Sequence, residues 1–194
     1  DEYMADLPQG IIEQMSFEGE VYGLPYYSGN SVFVYNERIL KQAGINAPPK
    51  TWDELMDQAK IIKQKGILDH PIIFGLAANE NSILRNLEII SAGFGGRFFN
   101  EKLEPVFQEN NSAVKKTLKW LADGMKAGVI TRASMSQGDG EIDQFMRSGT
   151  AAFSIVTDYE MKVLNDPKKS MRLVILKMPS FPVPQVRSAA RLVM

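Results

Sequence analysis

Three short stretches of the chain gather side chains able to recognise a small polar molecule without reacting with it. Pro25-Tyr26-Tyr27-Ser28-Gly29-Asn30 carries two rings, a hydroxyl and a carboxamide beside a glycine. Ala77-Ala78-Asn79-Glu80-Asn81 carries carboxamides and a carboxylate, and Val156-Thr157-Asp158-Tyr159-Glu160 sets a ring between two carboxylates. Aromatic faces stack on C–H surfaces, while planar carboxylates and carboxamides pair with hydroxyl groups. Each stretch also has a purely structural reading. Tyr26 and Tyr27 could pack into a core along a hinge segment, and Asn79, Asn81 and Asp158 could cap the helices that follow them.

Covalent and metal chemistry are poorly supplied. The sequence has no cysteine, which removes disulfides, thiolate metal sites and a cysteine nucleophile. Its single histidine, His70, argues against a histidine-ligated metal or a Ser-His-Asp triad. A glycoside-processing enzyme would need two carboxylates facing each other across a cleft. Glu80, Asp158 and Glu160 can be nominated, but nothing in their spacing compels that role. Gly93-Phe94-Gly95-Gly96 lacks the Lys-Ser/Thr of a phosphate loop and reads as a turn. No cofactor is implied.

The elements that must position these stretches alternate between strand and helix. Ser31 to Tyr35 is β-branched and aromatic and reads as a buried strand. Asn36 caps a short helix that ends before Gly44. Thr51-Trp52-Asp53-Glu54 has capping-box spacing, with the Glu54 carboxylate expected to reach back to the Thr51 N–H. The following helix buries Leu55, Ala59 and Ile62, and Trp52 reads as packing between helix and sheet. Ile72 to Gly75 is a second strand, and a helical stretch covers Ile83 to Ala92. An amphipathic helix capped by Asn111 or Ser112 places Val114, Leu118, Leu121, Ala122 and Met125 on one stripe, leaving Trp120 as a structural residue off it. A helix over Ile142 to Arg147 stops at Gly149. Ala151 to Val156 is a strand, Tyr159 to Leu164 a short helix, and Leu173 to Leu176 a last strand. Such alternation predicts an α/β fold.

Length and charge agree. A chain of 194 residues, 44% hydrophobic and 23% charged, can bury a sizeable core. The 22 basic and 23 acidic residues are well mixed, for a net charge of −1. No basic stripe exists to neutralise phosphates, so no nucleic-acid partner is expected. The apolar runs are too short to span a membrane.

In order, several segments resemble the extracellular solute-binding family of ABC importers, the family of maltose-binding protein. They are Gly19-Glu20-Val21-Tyr22-Gly23-Leu24-Pro25 followed by Tyr35-Asn36, then Pro48-Pro49-Lys50-Thr51-Trp52-Asp53-Glu54-Leu55, then Phe145-Met146-Arg147-Ser148-Gly149-Thr150-Ala151-Ala152-Phe153. The resemblance covers about residues 17 to 180. It implies a periplasmic-binding-protein-like (type II) α/β lobe with a mainly parallel sheet and helices on both faces, part of a two-lobed protein. On this basis residues 1–27 are the end of the first lobe and the hinge crossing. Residues 28–180 are the second lobe, and 181–194 the return crossing, with the rest of the first lobe absent.

The resemblance also implies a function. Such a protein, a monomer and not an enzyme, would bind a sugar or oligosaccharide in an interlobe cleft and deliver it to an ABC permease in the membrane. Its location would be extracytoplasmic, either periplasmic or as a cell-surface lipoprotein whose signal and anchor lie outside these residues. Presentation of ligand to a membrane sensor kinase is the alternative output of the same fold. Ligand-binding residues carried over are Tyr26, Tyr27, Asn30, Asn79, Glu80, Asp158 and Tyr159. Tyr159 takes the position of a family tryptophan that stacks on sugar. Gly29 stands where maltose-binding protein has an acidic residue, and residues 77–81 lack an aromatic ring. The departure at Gly29 argues against transferring maltose specificity.

Overall fold

The computed structural model describes residues 5–25, 30–100, 102, 104–166 and 168. The chain divides between Gly29 and Asn30 into two units. Within the first, helix α1 (Gln9–Gln14) leads into a hairpin of β1 (Ser16–Phe17) and β2 (Glu20–Val21). Its two turn residues, Glu18 and Gly19, both have positive φ (52° and 87°), the conformation a tight two-residue hairpin requires. The Phe17 and Tyr22 rings lie 6.4 Å apart.

The second unit is layered. Strand β3 (Ser31–Tyr35) pairs antiparallel with β4 (Phe153–Thr157), in register from Ser31 with Thr157 to Tyr35 with Phe153. Residues 71–74 lie on the far side of β4, where Ile72 bridges in parallel to both Phe153 and Ile130. The Ile73 N–H donates to the Phe153 carbonyl at 3.1 Å and the Ile72 N–H to the Val129 carbonyl at 3.0 Å. Expected as a strand, Ile72 to Gly75 therefore enters the sheet through single bridges. The sheet among the described residues is also mixed, since its one regular ladder is antiparallel. The parallel neighbours of Ile72 are reached through helical crossovers, as parallel pairing requires. β3 enters directly from the unit boundary without such a crossover, and an antiparallel strand beside parallel ones is common in α/β sheets.

Side-chain alternation sorts the sheet into two buried faces. Phe33, Tyr35, Ile72, Phe74, Phe153 and Ile155 face one core, covered by α2 (Glu37–Gln42), α3 (Trp52–Gln64), α4 (Ser82–Gly93) and α5 (Ala113–Lys126). Val34, Ile73 and Val156 face the other, against Ile142 and Met146 of α6 (Asp139–Ser148) and Leu164 of α7 (Asp158–Leu164). Helices thus cover both faces, as the family resemblance implied.

Local signals set most helix ends. Asn36 Oδ1 accepts from the N–H groups of Arg38 and Ile39, and Gly44 takes φ 72° just beyond α2. Thr51 Oγ1 accepts from the Glu54 N–H at 3.1 Å, as expected. The reciprocal half differs: Glu54 Oε2 accepts from the N–H of Lys50, at 2.6 Å, and not from Thr51. One residue further back, it satisfies a donor just outside the helix.

The stripe on α5 is rotated from the expected one. Ala113, Val114, Thr117, Trp120, Leu121 and Gly124 are buried, whereas Leu118 is 51% exposed and Ala122 is also on the surface. Trp120 explains the rotation. Its indole N–H donates to the Trp52 carbonyl at 3.0 Å, and its ring meets those of Trp52 and Phe74 at 5.7 and 6.2 Å. Burying so large a ring outweighs exposing one leucine. Both tryptophans are core, as expected. His70 is exposed and Nδ1 lies 2.8 Å from the Gly128 carbonyl. The expected strand Leu173 to Leu176 lies outside the described residues.

Candidate functional site

The carboxyl end of β4 runs straight into α7, and that junction holds the best-defined part of the candidate site. Thr157 ends the strand and occupies the N-cap of the helix. Its N–H donates to Glu160 Oε2 at 2.7 Å, and its hydroxyl donates to the same oxygen at 2.8 Å. Capping is therefore done by Thr157 and Glu160, which frees Asp158 for another partner. Asp158 Oδ2 accepts from the Asn30 N–H at 3.2 Å and from Asn30 Nδ2 at 3.4 Å. In return the Asp158 N–H donates to the Asn30 carbonyl at 2.8 Å. This pairing extends the β3–β4 register by one residue beyond Ser31 and Thr157. Both side chains are exposed.

Asn30 and Asp158, 128 residues apart, are thus brought together at one end of the sheet. Tyr159 is the second residue of α7, so its backbone is fixed beside them. Tyr26 and Tyr27 lie outside the described residues.

Asn79 and Glu80 sit on the loop that follows residues 72–76, the segment that bridges in parallel to β4. Both are exposed. The Glu80 N–H closes a turn onto the Ala77 carbonyl at 3.1 Å, and the Ala77 N–H donates to the Gln137 carbonyl at 3.3 Å. Asn81 occupies the cap position of α4, but its side chain makes no capping hydrogen bond. The Glu80 side chain rests against Gly138, close enough that a Cβ there would lie 3.0 Å from its carboxyl carbon. Gly138 caps α6, its N–H donating to Glu141 Oε2 at 3.0 Å.

The first turn of α6 links the two loops. Asp139 accepts from Arg85 Nη2 of α4 at 2.6 Å, close behind Glu80 in sequence. Its charge and that of Asp143 also act on Glu160 of α7. Glu160 is only 7% exposed. Burial raises its pKa above the ordinary carboxylate value; the two Thr157 hydrogen bonds oppose this, and the nearby Asp139 and Asp143 charges add to it.

Sequence reasoning did not single out Glu160 as anything beyond a nominal acid. Thr157-x-x-Glu160 nonetheless has the same spacing as Thr51-x-x-Glu54, so the signal was present. The Arg85–Asp139 pair spans 54 residues and leaves no local trace. Held inside by Thr157, Glu160 cannot face a ligand as an acid or base. Of the three carboxylates nominated for glycoside chemistry, this leaves Glu80 and Asp158 on the surface, the latter engaged by Asn30. The arrangement is one of exposed hydrogen-bonding groups on a braced sheet edge, suited to holding a ligand.

The family model for bacterial extracellular solute-binding proteins matches residues 1–187. The chain belongs to that family. Among similar curated proteins, the mannitol-binding protein of Pseudomonas aeruginosa is 25% identical over 88% of this chain and 38% of its own length. The sn-glycerol-3-phosphate-binding periplasmic protein UgpB of Agrobacterium fabrum is 41% identical over a shorter segment, 34% of this chain and 15% of its own. Among solved structures, an ABC transporter solute-binding protein from Agrobacterium vitis S4 with bound D-mannitol has a TM-score of 0.71 at 27% identity. That match covers 90% of this chain and 42% of the other. Maltose-bound MalE3 of T. maritima has a TM-score of 0.77 over 91% of this chain and 45% of the other; at 19% identity it speaks to fold alone. The chain spans less than half the length of these relatives.

The α/β lobe of a periplasmic binding protein, expected from the sequence, is therefore the fold of this chain. Members of its family are extracellular or periplasmic, and the relatives named above are binding proteins.

Proposed function

We propose that this chain is the larger part of one lobe of an ABC importer's substrate-binding component, taking up a sugar, sugar alcohol or oligosaccharide for a membrane permease. Residues 1–27 would form the end of the first lobe and the hinge crossing, 28–180 the second lobe, and 181–194 the return. The observation that carries the reading is the Asn30–Asp158 pair. It sets a carboxylate and a carboxamide at the carboxyl end of β4, beside the backbone of Tyr159. Open α/β sheets receive ligands outside the carboxyl ends of their strands. Asn79 and Glu80 stand at the corresponding end of residues 72–76, with their side chains exposed.

The polar set supports a neutral ligand. Glu80 and Asp158 are acidic, and the nearby Arg85 is paired with Asp139. An uncharged polyhydroxylated molecule can donate hydroxyl protons to these carboxylates, whereas a phosphorylated one would meet like charge. Tyr159 would supply the stacking ring, and Tyr26 and Tyr27 two more. The protein would be a non-catalytic monomer, periplasmic or anchored at the cell surface.

The test is a thermal-shift screen of the whole protein, both lobes included, against neutral sugars, sugar alcohols and oligosaccharides, with glycerol 3-phosphate as the anionic comparison. Binding to the folded state raises the midpoint by mass action, about 2.7 kcal/mol of stabilisation at a hundredfold excess over Kd. A midpoint raised by neutral ligands and not by glycerol phosphate is expected. A flat response across the neutral panel would overturn the reading.

A further inference from the structure

Glu160 is the only acidic or basic side chain among the described residues that is buried, yet the proposed ligand contacts make no use of it. Such a group is costly to keep. It is desolvated, and the charges that act on it from α6, Asp139 and Asp143, have its own sign. Those two are themselves neutralised from behind, Asp139 by Arg85 of α4 and Asp143 by Arg147 one turn along α6. The core that α7 shares with α6 and the sheet is built of apolar side chains, Val34, Ile73, Ile142, Met146 and Val156 among them.

What the carboxylate does is visible in its bonds. One oxygen accepts both the N–H and the hydroxyl of Thr157. Thr157 pairs with Ser31 at the end of the β3–β4 ladder, and the next residue, Asp158, is hydrogen-bonded three times to Asn30. A continuous chain thus runs from the buried acid through the strand end to the exposed pair. We propose that Glu160 is a positioning residue: from the interior, it fixes the Thr157–Asp158 turn and so holds the Asn30–Asp158 pair in place for ligand. Its two acceptor bonds do this, and its charge is incidental. The link to ligand rests on the proposed function, while the link to the turn does not.

Two variants separate acceptor from charge. Glu160→Gln keeps a carbonyl oxygen for Thr157 and removes the charge, whereas Glu160→Ala removes both. Amide hydrogen exchange in the 194-residue chain reads the turn directly. About tenfold faster exchange at Thr157 and Asp158 is expected for Glu160→Ala, the equivalent of roughly 1.4 kcal/mol. Glu160→Gln should stay within about twofold of wild type, and Leu55 in α3 should be unchanged in both. If Glu160→Ala loses protection everywhere, Thr157→Val, which deletes only the hydroxyl donor, takes its place, with a severalfold increase expected at Asp158.

Denaturant midpoints at pH 7 and pH 5 check that the Glu160 carboxyl titrates from inside the fold, whereas rescue of ligand affinity by Glu160→Gln is the readout a merely structural residue would not move. A carboxyl with a raised folded-state pKa gives relative stability on acidification. The wild-type midpoint should therefore rise relative to that of Glu160→Gln, whose other groups titrate alike. Unchanged exchange at Thr157 and Asp158 in Glu160→Ala, or in Thr157→Val where that variant stands in for it, overturns the proposal, as does a Glu160→Gln variant that exchanges as fast as the alanine form. In the whole protein, ligand affinity should fall about tenfold in Glu160→Ala and be restored in Glu160→Gln. If the wild type binds nothing in the neutral panel, the ligand reading fails while the exchange data still decide the role of Glu160.

Discussion

Replacing Gly124 by alanine sets two effects of known size against each other. Gly124 lies within α5, where alanine is favoured over glycine by about 1 kcal/mol on helix propensity alone. Against that stands the space around it. A Cβ at this position would lie 2.5 Å from Ile130 Cδ1, 2.8 Å from Ile130 Cγ1 and 2.9 Å from Met56 Cε. The methionine can swing aside, because a thioether end is flexible. Ile130 cannot. It is 1% exposed, its N–H donates to the Gly124 carbonyl at 3.1 Å, and it bridges to Ile72 in the sheet. Overpacking a fixed core site costs about 1–3 kcal/mol; with Ile130 unable to move and two of its carbons in the way, the upper half of that range applies. After the propensity gain, Gly124→Ala should lose about 1–2 kcal/mol. Urea unfolding followed by tryptophan fluorescence reports on this directly, since Trp52 and Trp120 share the same core. With a slope of about 2 kcal/mol per molar urea, the midpoint should fall by roughly 0.5–1 M. An unchanged or raised midpoint would show that α5 moves off the sheet freely, and the tight approach of helix to strand described above would be wrong.

Two further substitutions test other links. Thr51→Ala should cost about 1 kcal/mol of stability, the usual loss for a cap hydroxyl, read from the denaturant midpoint; no change would mean that Glu54 on Lys50 is the bond that matters. Tyr159→Ala in the whole protein should weaken sugar binding by roughly 1–3 kcal/mol, with Tyr159→Phe retaining most of it, since the stacking face survives. If calorimetric titration shows full affinity while denaturant stability falls by about 3–5 kcal/mol, the ring is core and not platform.

Much of the fold was legible from sequence because it is written in short-range physics. The polar caps at Asn36, Thr51 and Ser112 each bond backbone N–H groups within three residues, and Gly149 takes the left-handed φ of 68° that ends α6. The α/β class followed from alternating apolar runs, and the ordered motifs pointed to the family. The loops at the strand ends were legible too, as clusters of rings and polar groups. Properties that depend on distant partners were not. The stripe on α5 turned to bury Trp120 because Trp52 and Phe74 wait for it on other elements. Whether Asp158 caps a helix or reaches elsewhere was undecided along the chain, since both need only an oxygen at that position. The tertiary structure decided it by placing Asn30 beside Asp158 and giving the cap to Glu160. Arg85 and Asp139 met for the same reason. A hydrogen bond across 54 or 128 residues depends on how the sheet is ordered, and no local pattern encodes that order.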